Sequence, residues 1–288
     1  MVMSERAAKK YTSRMNEVFR YINEHLYEEL TVEQLAEVAN FSKYHFHRQF
    51  CEYAGINVFQ LIRLMRLKRA SYQLVFNKQC KVIDIALDAG FENPESFSRA
   101  FKKAFGQTPT QFRQQPKWQP WLEKYILPEI KREQVMQVDI IDFKKTAIIA
   151  IEHHGTPELI NDTASRFLSW IAENKLPVRK AGYYGIAYND PNLTAPEDFR
   201  FDFGLVTAGR VKEENNIINK VIPAGRCARV RHLGSHDHIG DSVRALYGKW
   251  LPGSGEELRD FPCFFNYLNM ITDVAEHELM TDIYLPLK

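Results

Sequence analysis

Met15, Val18, Phe19, Ile22 and Leu26 recur at helical spacing and predict an opening helix over residues 14–27 with one apolar face. Thr31-Val32-Glu33-Gln34 has the form of a capping box, in which the threonine and glutamine satisfy each other's backbone N–H groups. It opens a short helix through residue 38 that turns Leu35, Ala36 and Ala39 inward. In residues 40–55, Ser42 stands as an N-cap, Phe46, Phe50 and Tyr53 share one stripe, and Tyr44, His47 and Arg48 share the opposite one. Helix, tight turn and second helix with a polar outer face is the helix-turn-helix pattern. Residues 58–76 follow as a long helix with Phe59, Ile62, Met65, Ala70 and Leu74 apolar and Arg63, Arg66, Lys68 and Arg69 between them.

The pattern then repeats. Leu35-Ala36 is echoed by Ile85-Ala86, Ala39-Asn40-Phe41 by Ala89-Gly90-Phe91, Phe46-His47-Arg48-Gln49-Phe50 by Phe97-Ser98-Arg99-Ala100-Phe101, and Gly55 by Gly106. The offset is 50 residues before the second turn and 51 after it, because one residue is added beside Asn93-Pro94. An Asn N-cap followed by Pro at the first helical position is a strong helix start. The second copy presents Glu95, Ser98 and Arg99 where the first presents Tyr44, His47 and Arg48, and both keep the arginine. The connector of about nineteen residues spans roughly 28 Å at 1.5 Å per residue, close to the ~34 Å between successive major grooves on one face of DNA.

Residues 114–120 are polar and broken by Pro116 and Pro120, and residues 121–134 read as a short helix interrupted by Pro128. Beyond them the texture becomes mixed, with strand-like runs at 136–143 and 146–152. This half repeats as well: Gly155-Thr156 and Gly234-Ser235, Asp162-Thr163 and Asp241-Ser242, and Phe167-Leu168 and Leu246-Tyr247 are each 79 apart, and Asp202 lies 80 before Asp282. Each copy reads strand, helix, strand, strand: 147–153, 162–174, 181–188 and 201–207, then 226–232, 241–251, 263–269 and 282–287. Two such halves can share a sheet and leave a concave junction, a common form of ligand site.

Composition sharpens this picture. With 45% hydrophobic and 26% charged residues, a chain of 288 residues is long enough for two globular domains. The net charge of +2 conceals an asymmetry, since residues 1–115 carry 17 Lys and Arg against 12 Asp and Glu, a net +5, and the remainder carries 21 against 24, a net −3. The basic half is the half with the repeated helical motif, the direction expected of a surface that meets phosphates. Neither a secretory leader nor an apolar run of membrane-spanning length stands out, so a cytoplasmic location is expected. Cys51, Cys80, Cys227 and Cys263 are scattered and predict buried, reduced thiols. His232, His236 and His238 are close in sequence but lie in a turn without a second ligand cluster, and no metal site is expected. There is no Gly-rich phosphate loop and no G-x-S-x-G elbow, and no cofactor is expected.

Gly90-Phe91, Ser98-Arg99, Phe101-Lys102, Phe105-Gly106 and Thr108-Pro109-Thr110-Gln111-Phe112-Arg113 stand in a fixed register that resembles the DNA-binding domain of the AraC/XylS family of bacterial regulators. Ile222-Pro223-Ala224-Gly225-Arg226, His232-Leu233-Gly234-Ser235, Leu246-Tyr247-Gly248-Lys249-Trp250 and Thr281-Asp282-Ile283-Tyr284-Leu285-Pro286 resemble the GyrI-like effector-binding domain. Regulator first and GyrI-like domain second is the order of the Rob type within the AraC/XylS family. The resemblance implies an all-α double helix-turn-helix domain over 1–115, a linker over 116–134, and an α+β domain of two βαββ repeats over 135–288. GyrI-like proteins often carry a glutamate two residues before a tyrosine on the third strand of the second half, where it pairs with cationic aromatic ligands. Here Phe265 holds that place, two residues before Tyr267.

The expected function is a one-component transcription regulator. Arg48 and Arg99 are expected to reach base edges, Tyr44, His47, Glu95 and Ser98 to line the reading faces, and Lys43 and Lys102 to meet phosphates. Promoter DNA and RNA polymerase are the expected partners, with a small-molecule effector of aromatic character. Trp170, Tyr183, Tyr188, Trp250, Phe265 and Tyr267 are the expected pocket residues, with Phe265 and Tyr267 sharing one strand face. The alternative is a GyrI-like hydrolase acting on a small aromatic or electrophilic compound, and the missing glutamate counts against it.

Overall fold

The computed structural model describes residues 5–118, 120–121, 136–176, 182–207, 209–214 and 216–288, with side chains from residue 10 onward. The chain divides into two compact units, Met1–Gln134 and Val135–Lys288. In the first, α1 (Glu5–Glu24) precedes α2 (Val32–Val38), α3 (Lys43–Ala54), α4 (Val58–Phe76), α5 (Val82–Asp88), α6 (Pro94–Phe105) and α7 (Pro109–Gln114). Helix α1 starts earlier than its apolar spacing predicts and stops at Glu24, leaving Leu26 in the following turn but still buried. The capping boxes at Thr31 and Thr108 form, and the Asn93 side chain accepts from Ser96 N at 2.8 Å. Ser42 holds the N-cap position of α3, but its hydroxyl makes no cap bond, contrary to expectation; its carbonyl accepts the first helical bonds from His45 and Phe46.

Two cores share α4. Val58, Leu61 and Ile62 join Met15, Phe19, Leu35, Phe46 and Phe50, while Leu64, Leu67, Ala70 and Leu74 join Ile85, Phe97, Phe101, Phe105 and Phe112. A helix buried on most of its circumference shows no single apolar stripe. Phe59, expected on the apolar side, is instead 48% exposed. The second core also takes in Trp118, 5.0 Å from Phe112 between ring centres, and Trp121, stacked on Phe105 at 4.7 Å. The helix expected over 121–134 lies almost wholly outside the described residues.

The second unit is a single antiparallel sheet of eight strands: β1 (Val138–Phe143), β2 (Thr146–His154), β3 (Tyr183–Ala187), β4 (Arg200–Val206), β5 (Ile217–Ile222), β6 (Gly225–Leu233), β7 (Cys263–Tyr267) and β8 (Met280–Pro286). Helix α8 (Ile160–Glu173) follows β2, and α9 (Ile239–Ala245) follows β6 and runs through a π turn, Leu246–Trp250, into α10 (Leu251–Ser254). The strand order is β1-β6-β8-β7-β3-β4-β2-β5. Each βαββ repeat is thus preceded by a further strand, and β5, which the sequence reading passes over, stands 79 residues after β1. These leading strands are exchanged: β1 pairs with β6 of the second half and β5 with β2 of the first.

The exchange dictates the sheet's shape. Strands β1 and β2 lie six strand spacings apart in the order, which would be ~29 Å in a flat sheet. Only Lys144 and Lys145 join them, a span of at most ~11 Å. Pro223 and Ala224 make the matching short link from β5 to β6. The sheet therefore coils until those corners meet, closing one face over Phe143, Ile148, Ile222, Phe264 and Tyr284. The other face is covered by α8 and by α9 with its continuation.

Candidate functional site

In the first unit each reading helix is launched by a turn that needs left-handed backbone. Asn40 (φ 52°) and Gly90 (φ 75°) occupy equivalent places, and Asn and Gly are the residues that adopt this conformation with least strain. The amide of Phe41 then reaches Ala36 O at 2.9 Å and that of Phe91 reaches Ala86 O at 3.0 Å, the same closing bond twice. Gly55 and Gly106, at φ 71° and 73°, end α3 and α6 alike. With both helices fixed at both ends, their outer faces point the same way relative to their own cores.

On α3, Lys43, Tyr44, His47 and Arg48 are all exposed, Tyr44 at 80%. Lys43 lies 3.6 Å from Glu33 and over the Tyr44 ring at 5.5 Å. His47 Nδ1 is 4.0 Å from Cys51 Sγ one turn on. On α6, Glu95, Arg99 and Lys102 are exposed and Ser98 is half-buried; Arg99 donates to Ser96 Oγ at 3.3 Å. Glu95 sits in the first turn, where the helix dipole favours an acid. Arg99 also lines a cleft of about 620 Å³ between α4 and α6, floored by Leu64, Leu67, Ala100 and Ala104 and rimmed by Gln60, Arg63 and Lys103. Arg63 and Lys103 are additions to the basic surface that the sequence reading missed. The signal was available, since Lys103 stands four residues after Arg99 and so on the same helix side.

In the second unit the junction of the two halves is the β3–β7 pair. Its register is symmetric about Gly185, which faces Phe265, with Tyr183 facing Tyr267 and Ala187 facing Cys263. A Cβ on Gly185 would come within 2.6 Å of the Phe201 ring, 2.8 Å of the Tyr267 hydroxyl and 3.1 Å of the Phe265 ring. The missing side chain is what lets these three groups fold over the centre. Phe265 is 5% exposed and stacks on Phe201 at 6.0 Å and 21°. Burial pushes the phenol of Tyr267 up, and it pushes the Cys263 thiol on the same strand face up to about 12.

The six expected pocket residues do not all meet. Phe265, Tyr267 and Trp250 pack in one apolar cluster on the helix-covered face, Trp170 and Tyr183 in another, and Phe203 touches both. Tyr188 is on the opposite face, because it stands an odd number of residues from Tyr183 and side chains alternate along a strand. There its hydroxyl donates to Asp202 at 2.6 Å and accepts from Lys220 at 3.0 Å. Lys220 also donates to Glu152 at 2.8 Å and to Asp202 at 2.5 Å. Burial alone would lower the Lys220 pKa, but its hydrogen bonds to Asp202, Glu152 and Tyr188 outweigh that and hold it above its ordinary value; the bond to Lys220 in turn lowers that of Glu152.

The equivalent aspartate of the second half, Asp282, is gripped by Arg231 through two bonds of 2.7 and 3.0 Å. A second matched pair locks each leading helix to its sheet. His153 bonds Thr163 Oγ1 at 2.8 Å and Thr156 O at 3.1 Å, and His232 bonds Ser242 Oγ at 2.9 Å and Ser235 O at 3.0 Å. Since a carbonyl only accepts, Nε2 donates in each ring, while the hydroxyl partner faces Nδ1. His232 thus faces inward, His236 packs on Tyr267 and His238 approaches Asp241, so the three do not converge.

Comparison with known proteins agrees with this architecture. The model of the GyrI-like small molecule binding domain matches residues 136–288, and that of a helix-turn-helix domain matches residues 35–115. Probable transcriptional regulator YgiV of Escherichia coli (strain K12) is 38% identical over 154 residues, which is 53% of this chain and 96% of that protein. Right origin-binding protein of the same strain is 32% identical over 118 residues, 38% of this chain and 40% of its own length. Among solved structures, an EcmrR–DNA complex determined by cryo-EM aligns over 89% of this chain and 98% of that one, at 15% identity and a TM-score of 0.47. No helix among the described residues is long and apolar enough to cross a membrane. The chain belongs to the GyrI-like small-molecule-binding family and joins that domain to an AraC-type helix-turn-helix DNA-binding domain, as a transcription regulator.

Proposed function

We propose that α3 and α6 read two successive major-groove turns of promoter DNA, Arg48 and Arg99 each pairing with a guanine edge while Lys43, Lys102, Arg63 and Lys103 meet phosphates. The observation that carries this is the duplication of one launch geometry, left-handed turn and glycine stop included, with an exposed arginine at the same place in both helices. Tyr44, His47, Glu95 and Ser98 supply the differences between the two reading faces. RNA polymerase is the partner proposed for the DNA-bound protein, and the cytoplasm its location. Residues 1–121 are proposed to fold and bind DNA alone; the fragment must keep Trp118 and Trp121, which pack on Phe112 and Phe105. A mobility-shift titration of the chain on its own upstream DNA tests the reading. Specific binding that weakens steeply with salt supports it, and equal affinity for that DNA and for random duplex refutes it.

The β3–β7 junction is the proposed effector site, walled by Phe265, Tyr267, Tyr183, Trp170 and Trp250. With Phe265 where a carboxylate is customary, planar neutral ligands are expected to bind at least as well as cationic analogues, with little salt dependence. Phe265→Glu should shift preference toward cations. Calorimetry showing strong, salt-weakened preference for cations in the unmodified protein would overturn this. Phe265 in place of the customary glutamate favours a sensor rather than a hydrolase, since the site lacks the acid such chemistry would use.

A further inference from the structure

Three arginines climb one side of α4 at i, i+3 and i+6, and between them they reach the α1–α2 connection of the first head and the turn that launches α6 in the second. Arg66 is the middle one. Its Nε donates to Leu26 O at 2.7 Å and one terminal nitrogen donates to Glu28 O at 2.8 Å, both in the connection between α1 and α2 of the first head. Its other terminal nitrogen lies against the left-handed turn of the second head, so close that a Cβ on Gly90 would fall 2.3 Å from it. Arg63 sits over the ring of Phe91, the next residue of that turn, at 5.3 Å, and Arg69 sits over Tyr27, in the first head's connection, at 4.5 Å. The row therefore stitches residues 26–28 of one head to residues 90–91 of the other across the helix that both cores share.

We propose that this arginine clamp, with Arg66 as its central positioning residue, fixes the angle between the two reading helices and so selects the spacing of the DNA half-sites. The inference rests on the two-head reading proposed above. Packing each core on α4 holds each head, but a helix shared by two cores can bend or roll at the point where one core gives way to the other. Arg66 stands where the cores interleave, with Ile62 and Met65 packed on the first and Leu64 and Leu67 on the second. A planar guanidinium with donors on both edges can hold two carbonyls of one segment while presenting its remaining nitrogen to another; a lysine ammonium on a flexible stem cannot hold all three contacts in one geometry. The turn it braces on the second head launches α6, so rotation there swings Arg99 directly. Gly90 serves the clamp as well as the turn, because any side chain would displace the guanidinium from its place.

The test compares wild-type protein with Arg66→Met and Arg66→Lys on four duplexes: the native upstream site, the same site with one base pair inserted between the half-sites, and each half-site with the other scrambled. One added base pair moves one half-site by about 3.4 Å and about 35° around the helix axis. Wild type should lose about tenfold or more on the lengthened site. Arg66→Met should bind the native site more weakly, lose less than about threefold on lengthening, and match wild type within about twofold on each half-site. Arg66→Lys should fall between them. A wild-type spacing penalty retained in Arg66→Met overturns the proposal. So does a loss on the half-sites as large as the loss on the full site, which would make Arg66 only a folding residue. If wild type shows no spacing preference at all, the two-head reading fails first and the clamp with it.

Discussion

Both domains are duplications, and they have diverged in different places. The two DNA-reading heads keep their frame, with Asn40 matched by Gly90, Gly55 by Gly106 and Arg48 by Arg99, and differ on the exposed face, where Tyr44 and His47 oppose Glu95 and Ser98. The two halves of the sensor domain also keep a frame, the His153 and His232 locks and the buried Asp202 and Asp282, but differ at the centre. Gly185 faces Phe265 across the symmetric register, and Asp202 takes Lys220 where Asp282 takes Arg231. In the heads the asymmetry lies on the exposed face proposed to meet DNA. In the sensor it lies at a buried junction, where filling one half depends on the other being empty.

That contrast can be broken by mutation. The largest effect is expected from Phe265→Ala, which removes a ring 5% exposed from the junction and should cost about 3–5 kcal/mol in the sensor domain's unfolding transition in urea. Asp202→Ala should cost about 3 kcal/mol, since it strands the partly buried Lys220 beside a single remaining carboxylate. Asp282→Ala should cost nearer 1 kcal/mol, because Arg231 is 47% exposed and water can take over its bonds. Equal losses at the two aspartates would mean that the halves are not electrostatically different. Gly185→Ala should cost about 1–3 kcal/mol by overpacking, and in the Phe265→Ala background the cost should shrink.

A smaller effect is expected from pH. Burial holds the His153 pKa below its ordinary 6.5, so the stability it lends is present above pH 6.5 and is lost as pH falls toward the folded value. Glu152, lowered from 4.5 by its bond to Lys220, acts in the same direction at lower pH. The melting temperature should therefore be flat between about pH 7 and pH 8 and decline from about pH 6.5 downward, while the buried thiol of Cys263 and phenol of Tyr267, raised by burial, turn it down again at alkaline pH. His153→Gln should remove the upper part of that decline; an unchanged profile would show that another group carries it.

The heads were legible in the sequence because their signals are local: caps, apolar spacing at 3.6 residues and an insertion marked by Asn93-Pro94. The same holds for the sensor's repeat, read from matched Gly and Asp positions and the Phe167-Leu168 and Leu246-Tyr247 pairs. What escaped was non-local. Strand β5 carries Asn219 and Lys220 among its apolar residues and pairs across the exchange with β2, so neither its pattern nor its partner is visible locally. Tyr188 could have been excluded by parity from Tyr183, but Lys220 as its partner lies 32 residues away. Trp118 and Trp121 follow a proline and look like linker, yet Phe105 and Phe112 need their cover. The Arg66 bridges span about forty residues, and no spacing rule announces them.

The central claim is that one chain reads two ends of a site with two matched arginines. The direct measurement is binding of wild type, Arg48→Ala and Arg99→Ala to the upstream site and to versions mutated at either end. Each substitution should cost about 1–3 kcal/mol on the native site and erase discrimination at one end only, a different end for each. Specific and random DNA bound in an unchanged ratio by both variants would contradict the account.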